Sequence, residues 1–321
     1  MRKRFQLGDQ LLMKDTLAIV IPAYKARFFG LTLNSIASQT CHEFHVYIGD
    51  DASPEDLASI VRQYESRFPI TYFRFEENVG STDLTRHWMR CIELAYEHDW
   101  IWLFSDDDMM SCNAIEEFYK HQRNNEAAEI FRYSVQIIDA NENVIKESHD
   151  TDDVLTSHRF ILNKWRGKLN SFAVEYAFRA SKFREVGGFE KFDLAWNSDD
   201  ATWIKMGRPG GIAKIQTAHV RWRSSDINIS RDNSLPICLR KISSNLAFMR
   251  FSCNYFAYLP FAWQILLHIW MLAWFLANLK VYSKANKSLK SQEFIRIATG
   301  ISLHKLLFPL AWCYYSLKRV K

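Results

Sequence analysis

Four short apolar runs set the pattern of the first third of the chain: "LAIVIP" (Leu17 to Pro22), "FHVYIGD" (Phe44 to Asp50), "ITYFRF" (Ile70 to Phe75) and "WIWLF" (Trp100 to Phe104). Each has the length and apolar density of a buried strand. Between the third and fourth, Leu84, Trp88, Cys91 and Leu94/Ala95 recur at helical spacing. Ser53 and Pro54 in "DASPEDL" make an N-cap and first-turn pair for a helix running toward Tyr64. Strands alternating with helices predict βαβ units and an α/β fold with a mostly parallel sheet. Beyond Glu129, "EIFRYSVQIID" predicts another strand, Gly187-Gly188 a turn, and a helical stretch begins near Asp199.

In open α/β sheets ligands bind at the carboxyl ends of the strands. Three of the four runs end there in polar chemistry: "PAYKA", "GDDAS" and "SDDDMM". Asp106, Asp107 and Asp108 are neighbours of like charge, and each resists removal from water. A solvated turn capping the helix after Ser111 would tolerate them. So would a divalent cation, Mg²⁺ or Mn²⁺, which prefers oxygen ligands and often sits on substrate phosphates. HExxH, the P-loop and GxGxxG do not occur.

Taken in order, "IVIPAYKA", "GDDASPEDL", "ENVG" and "WIWLFSDDDMM" resemble the family 2 glycosyltransferases of GT-A fold. The resemblance is close from Leu17 to Asn113 and looser around Asp199 and Arg223. It implies a Rossmann-like, mixed sheet with flanking helices, and inverting transfer of a sugar from a nucleoside-diphosphate donor to a hydroxyl. The acceptor it implies is a glycan or lipid-linked saccharide in cell-surface polysaccharide assembly. By match, Pro22, Tyr24 and Asp51, with Asp50 beside it, line the nucleotide-base pocket. A tyrosine ring can stack on a base, and an aspartate can accept from a pyrimidine N–H. Ser105 stands where the family's Asp-x-Asp motif has its first acid, so the essential acids fall on Asp107 and Asp108. Asp108 ranks first as metal ligand and Asp107 second, with Asp107 also facing the donor.

In "WNSDDATWIKMG", Asp200 matches the catalytic base and Asp199 precedes it; a hydroxyl attacking an anomeric carbon must lose its proton as the bond forms. Arg223, in "HVRWRSSDINIS", is a candidate phosphate contact. His219 is either an extra metal ligand or a structural histidine, and Arg86 either a phosphate partner or part of a solvated helix face. Lys25 replaces the family's usual asparagine. With Ser105, this departure keeps in view a non-catalytic, membrane-bound member of the same fold. A sugar nucleotidyltransferase, which shares an α/β sheet and metal carboxylates, is the other alternative, and "PAYKARFFG" is a poor version of the glycine- and lysine-rich loop it would need.

Charge divides the chain. The net value of +5 averages a tail from Cys238 onward, with twelve Lys and Arg against the single acid Glu293, and a body that is net acidic. From Phe251 to Leu279 there is no acid, lysine or arginine, a run longer than the ~20 residues that cross a bilayer. It also carries Asn254, Pro260 and Gln264, and Trp263, Trp270 and Trp274, which favour the interface. A second run, "ISLHKLLFPLAWCYYSL", contains Lys305 and Pro309. Crossing would place Lys280, Lys284, Lys287, Lys290 and Arg296 on the outer side. An in-plane or re-entrant helix pair keeps them at the cytoplasmic face of the membrane. A helical subdomain packed on the core is the alternative, and the apolar content argues against nucleic acid. Six cysteines without CxxC spacing, and "MRKRF" with no apolar stretch after it, predict reduced thiols and no signal peptide. The expected organisation is an extension over 1–16, a catalytic domain over 17–235 and a membrane-associating tail over 236–321. The catalytic domain divides into a nucleotide half to about 125 and an acceptor half after it. A chain ending near Leu235 is expected to keep the catalytic body.

Overall fold

The computed structural model describes residues 16–148, 152–226, 228–289 and 291–301. "MRKRF", Lys290, and the run carrying Lys305 and Pro309 lie outside the described residues. In chain order the elements are β1 (Leu17–Ala23), α1 (Phe29–Ala37), β2 (Phe44–Asp50), α2 (Leu57–Arg62), β3 (Ile70–Arg74), α3 (Leu84–Glu93), β4 (Trp100–Leu103), β5 (Met109–Met110), α4 (Ala114–Asn124) and β6 (Ile130–Ile138). There follow β7 (Val144–Glu147), β8 (Val154–Leu155), α5 (Ser157–Trp165), β9 (Tyr176–Arg179), α6 (Ala180–Glu185), α7 (Ser198–Met206), β10 (Ile212–Arg223), α8 (Leu235–Tyr255), α9 (Phe261–Ala285) and α10 (Ser291–Ile301).

All four apolar runs form strands, and they make a parallel block in the order β3-β2-β1-β4. β9 then enters antiparallel between β4 and β6, and β10 runs parallel to β6. β1 and β4 are almost wholly buried because both faces of the sheet are covered, which is why their sequences lack the alternation of a one-sided strand. α3 forms where its spacing predicts, capped by Asp83, whose side chain accepts from the Arg86 amide. The helix expected from Ser53 begins later. Asp56 is its cap, accepting from the Ser59 amide, while the Ser53 hydroxyl donates to the Tyr24 carbonyl at 2.6 Å and accepts from the Glu55 amide at 3.1 Å, tying the preceding turn to the β1 edge.

One core layer lies between the sheet and α1, α2 and α4; a second lies on the other face. The second layer is continuous from β1 and β4 through α5 and α7 to α8 and α9: Val20, Trp165, Trp203, Phe248, Met271 and Phe275 belong to one buried cluster. α9 is long and apolar enough to cross a membrane, and half of that stretch is buried inside the protein. Its Leu267, Met271, Phe275 and Leu279, four residues apart, face inward. Trp274 and Phe248 pack around Trp165 at ring-centroid distances of 6.4 and 6.2 Å. Among the described residues the core runs past residue 235 without a break, so the packing changes the expectation for a chain ending there.

Candidate active site

The carboxyl ends of β1 and β4 open onto a cavity of about 380 Å³. Ser105, Asp106, Asp107 and Asp108 form one wall, and Lys164, Asp199 and Asp200 another; Lys25, Asn228 and Ser230 also line it. The two acidic groups predicted from sequence, some ninety residues apart in the chain, therefore meet in one space.

Each aspartate of the turn has a different task. Asp106 accepts from the backbone amides of Tyr24 and Lys25, both at 2.7 Å, which ties the turn to the end of β1. Burial, then the charge of Asp107, pushes its carboxyl up to about 6. Asp108 is 1% exposed and accepts from Ser105 Oγ at 2.6 Å and from the Arg223 amide at 2.6 Å. Its carboxyl stands well above the ordinary range, through burial and then the neighbouring Asp107. Ser105 Oγ also lies 2.9 Å from Asp107. A hydroxyl has one proton, so it serves one of the two carboxylates at a time.

Ser105 thus does not interrupt an acidic motif so much as hold it. The turn offers oxygen donors only, and crowding makes its negative charge unfavourable unless a proton or cation joins it, so the residues fit a hard divalent ion. Among the described residues no group of three or more His, Cys, Asp or Glu gathers into a metal cage. One or two carboxylates suffice for an ion whose remaining positions are taken by phosphate and water.

Opposite this turn, Asp200 is 1% exposed and forms an ion pair with Lys164 through Oδ2. Its Oδ1 is buried without a hydrogen-bond partner in the described structure. Asp199, beside it, is pushed up to about 7 by burial first and the charge of Asp200 second, with Lys164 acting in the other direction.

The remaining predicted residues fall elsewhere. Asp50 and Asp51 do not line this cavity. Asp50 holds the Ser53 amide, Tyr72 and Arg74. Asp51 accepts from the Val79 and Gly80 amides at 2.9 and 2.8 Å and pairs with Arg90. A Cβ on Gly80 would come within 2.5 Å of the Asp51 carboxylate, so this turn requires glycine. Pro22 sits in β1 opposite Gly49, and Tyr24 is exposed at the sheet edge.

Arg223 requires a correction. It is fully buried, and its guanidinium donates to the carbonyls of Asp107, Asp139 and Ala140 and lies over the Phe28 ring. Those contacts brace the acidic turn and leave the group without access to a phosphate. Arg86 is on the exposed face of α3, and His219 lies within β10, away from the cavity.

The family description "Glycosyl transferase family 2" matches residues 18–184, from the start of β1 to the end of α6. The chain belongs to glycosyltransferase family 2. Chondroitin synthase of Escherichia coli is 39% identical over 77 residues, which is 22% of this chain and 11% of that protein. Hyaluronan synthase of Pasteurella multocida is 36% identical over 64 residues, 19% and 7% of the two chains. This glycosyltransferase therefore spans only a small part of the length of these relatives. Solved structures of S. aureus TarS 1–349 with UDP and with UDP-GlcNAc align over 94% of this chain and 92% of that one, at 13% identity with TM-scores of 0.56 and 0.57. Mannosyltransferase PcManGT from Pyrobaculum calidifontis, in complex with GDP-Man and Mn²⁺, aligns over 96% and 87% at 13% identity and a TM-score of 0.50. The fold is GT-A.

Two features of this glycosyltransferase's site escaped the sequence. Lys164 lies in α5, thirty-six residues before Asp200, in a stretch that carries no motif. The cavity is also walled by aromatics: Trp88, Trp196, and Phe172 stacked on Trp222 at 4.1 Å between ring centroids. Trp222 stands next to Arg223 in "HVRWRSSDINIS", but a single aromatic in a strand carries no signal of which way it faces.

Proposed function

We propose that the chain moves a sugar from a nucleoside-diphosphate sugar onto a saccharide hydroxyl, with inversion at the anomeric carbon. The observation that carries this is the meeting of the Asp106–Asp108 turn and the unpartnered Asp200 Oδ1 in one cavity. Asp200 Oδ1 takes the acceptor proton while the acceptor oxygen bonds to the anomeric carbon. The bond from that carbon to the phosphate oxygen breaks, and the nucleoside diphosphate departs with the electron pair. One base and one displacement give inversion. Asp108, with Asp107, would hold a divalent cation, Mg²⁺ or Mn²⁺, whose charge neutralises the departing diphosphate. Lys25 adds positive charge on the same rim. Tyr24 and Asp51 are assigned to the nucleotide base on the family's pattern, with Pro22 and Asp50 shaping that edge. The aromatic wall suits the apolar faces of sugar rings, and the names of the relatives support a polysaccharide acceptor. Family membership decides against the nucleotidyltransferase alternative.

Asp108→Asn is expected to lower transfer by about 10²–10³-fold with the fold intact, since a neutral amide is a weaker ligand and removes charge from the site. Chelation should stop the wild type and added Mn²⁺ restore it, read as nucleotide release from a panel of UDP- and GDP-sugars. Turnover undiminished by chelator would remove the metal from the mechanism.

We also place the protein at the cytoplasmic face of the membrane. The α8–α9 turn exposes Tyr258 and Phe261, the latter 70% exposed, while Lys284 and Lys287 at the far end of α9 are exposed as well. Aromatic tips and cations of this kind suit an anionic surface. Flotation with anionic liposomes at low salt tests it, and a protein left at the bottom of the gradient refutes it.

A further inference from the structure

The loop ahead of the catalytic helix is held in an unfavourable conformation. Leu194, Ala195 and Asn197 have φ of 59°, 53° and 67°, in the left-handed region that a Cβ disfavours. Among the described residues only Ala52 and Glu142 are other non-glycine positions of this kind. Backbone of this sort persists only where the surroundings over-determine it.

What over-determines it is one face of α8. Arg240 forms a two-point ion pair with the Asp193 carboxylate, at 2.9 and 2.6 Å. Ser244 Oγ donates to the Asp193 carbonyl at 2.7 Å. Asn245, fully buried, accepts through Oδ1 from Trp196 Nε1 at 3.1 Å and from Asn197 Nδ2 at 3.0 Å. Lys241 Nζ lies 4.8 Å from the Trp196 ring centroid. Positions 240, 241, 244 and 245 share a helix face, while Ile242, Leu246 and Met249 pack into the core.

The clamped loop has two outputs. Leu194, Ala195, Trp196 and Asn197 all line the cavity, and α7 starts at the next residue, Ser198, carrying Asp199 and Asp200. We propose that α8 is a positioning element of the active site: Arg240, Ser244 and Asn245 clamp loop 193–197 so that Trp196 faces the acceptor and α7 aims Asp200. The proposal rests on Asp200 being the base. Asn245 acts through Trp196 and Asn197 and touches no substrate itself.

The test compares full-length Asn245→Leu, which keeps the branched shape but loses the accepting oxygen, with Asn245→Asp, which keeps that oxygen. Three readouts are taken: hydrogen–deuterium exchange, UDP affinity with Mn²⁺ by calorimetry, and hydrolysis of UDP- and GDP-sugars, in which water replaces the acceptor. Asn245→Leu should speed exchange over 193–200. It should lower kcat for hydrolysis by about 10–100-fold, the scale of a small misplacement of a reacting group, with UDP affinity changed by less than about twofold. Asn245→Asp should stay near the wild type on all three. If Asn245→Leu does not fold, Arg240→Met with Ser244→Ala cuts the other clamp contacts and should show the same pattern more weakly. Wild-type hydrolysis alongside faster exchange, or unchanged exchange, overturns the clamp. Asp200→Asn run in parallel separates the two ideas: if it hydrolyses donor like the wild type, the base assignment falls. If it is inactive while Asn245→Leu is fully active, only the clamp falls.

Discussion

Asp200→Asn is expected to lower sugar transfer by about 10²–10⁴-fold, the usual worth of a general base, while donor affinity is kept. The amide has nearly the shape of the carboxylate but cannot take a proton. Donor binding is assigned to other residues, so proton removal and binding should separate. The substitution also breaks the ion pair with Lys164. Losing one partner of a fully buried pair costs about 3–5 kcal/mol, but the Lys164 side chain is 17% exposed and can reach water. The loss of stability should therefore be smaller, and circular dichroism should show a folded protein. Steady-state rates set beside calorimetric UDP affinity in Mn²⁺ decide the matter. A fall in affinity as steep as the fall in rate would make Asp200 a binding residue.

What the sequence disclosed and what it hid divide along a physical line. β1 and β4 are legible because a strand buried on both faces must be apolar throughout, and the polar residues at its end then stand out against it. The Asp106–Asp108 turn and the Asp199–Asp200 pair are legible for the same reason, each being unusual over a few adjacent positions. Residue type alone does not reveal what a charge is occupied with. Arg223 is a free-looking cation in its own stretch of sequence, yet in space its guanidinium donates to the backbone carbonyls of Asp107, Asp139 and Ala140. Asp51 is likewise engaged with the amides of the Val79–Gly80 turn. Lys164 and Asn245 are invisible locally, because their roles come from packing α5 and α8 against α7 and the loop before it. Ser53 has the right identity for a cap and does accept the Glu55 amide, but the helix itself starts three residues later, where Asp56 accepts from Ser59.

A chain ended at residue 235 is expected not to fold, against the separable body that composition suggested. Beyond that point lie Cys238, Ile242, Phe248, Met249, Met271, Leu272 and Phe275, all 1% exposed or less, in the same cluster as Trp165 and Trp203. Burying each large side chain contributes about 1.5–3 kcal/mol. Half a dozen therefore approach or exceed the 5–15 kcal/mol that separates a folded domain from its unfolded chain. Truncation would also strip Asn245 from Trp196 and Asn197, leaving their donors without that acceptor beside the active site. The expected result is insoluble protein, or soluble protein with no cooperative thermal transition and no heat of UDP binding in Mn²⁺. A soluble fragment that melts cooperatively and binds UDP would restore the boundary near Leu235. Composition does not separate the two cases, because an α9 buried against protein and one buried in lipid need the same apolar residues. The difference lies in which face is covered: Leu267, Met271, Phe275 and Leu279 are turned to the protein, and Phe261, Leu266 and Val281 are not. The inward face makes the helix part of the fold, and only the outward residues remain available to a membrane.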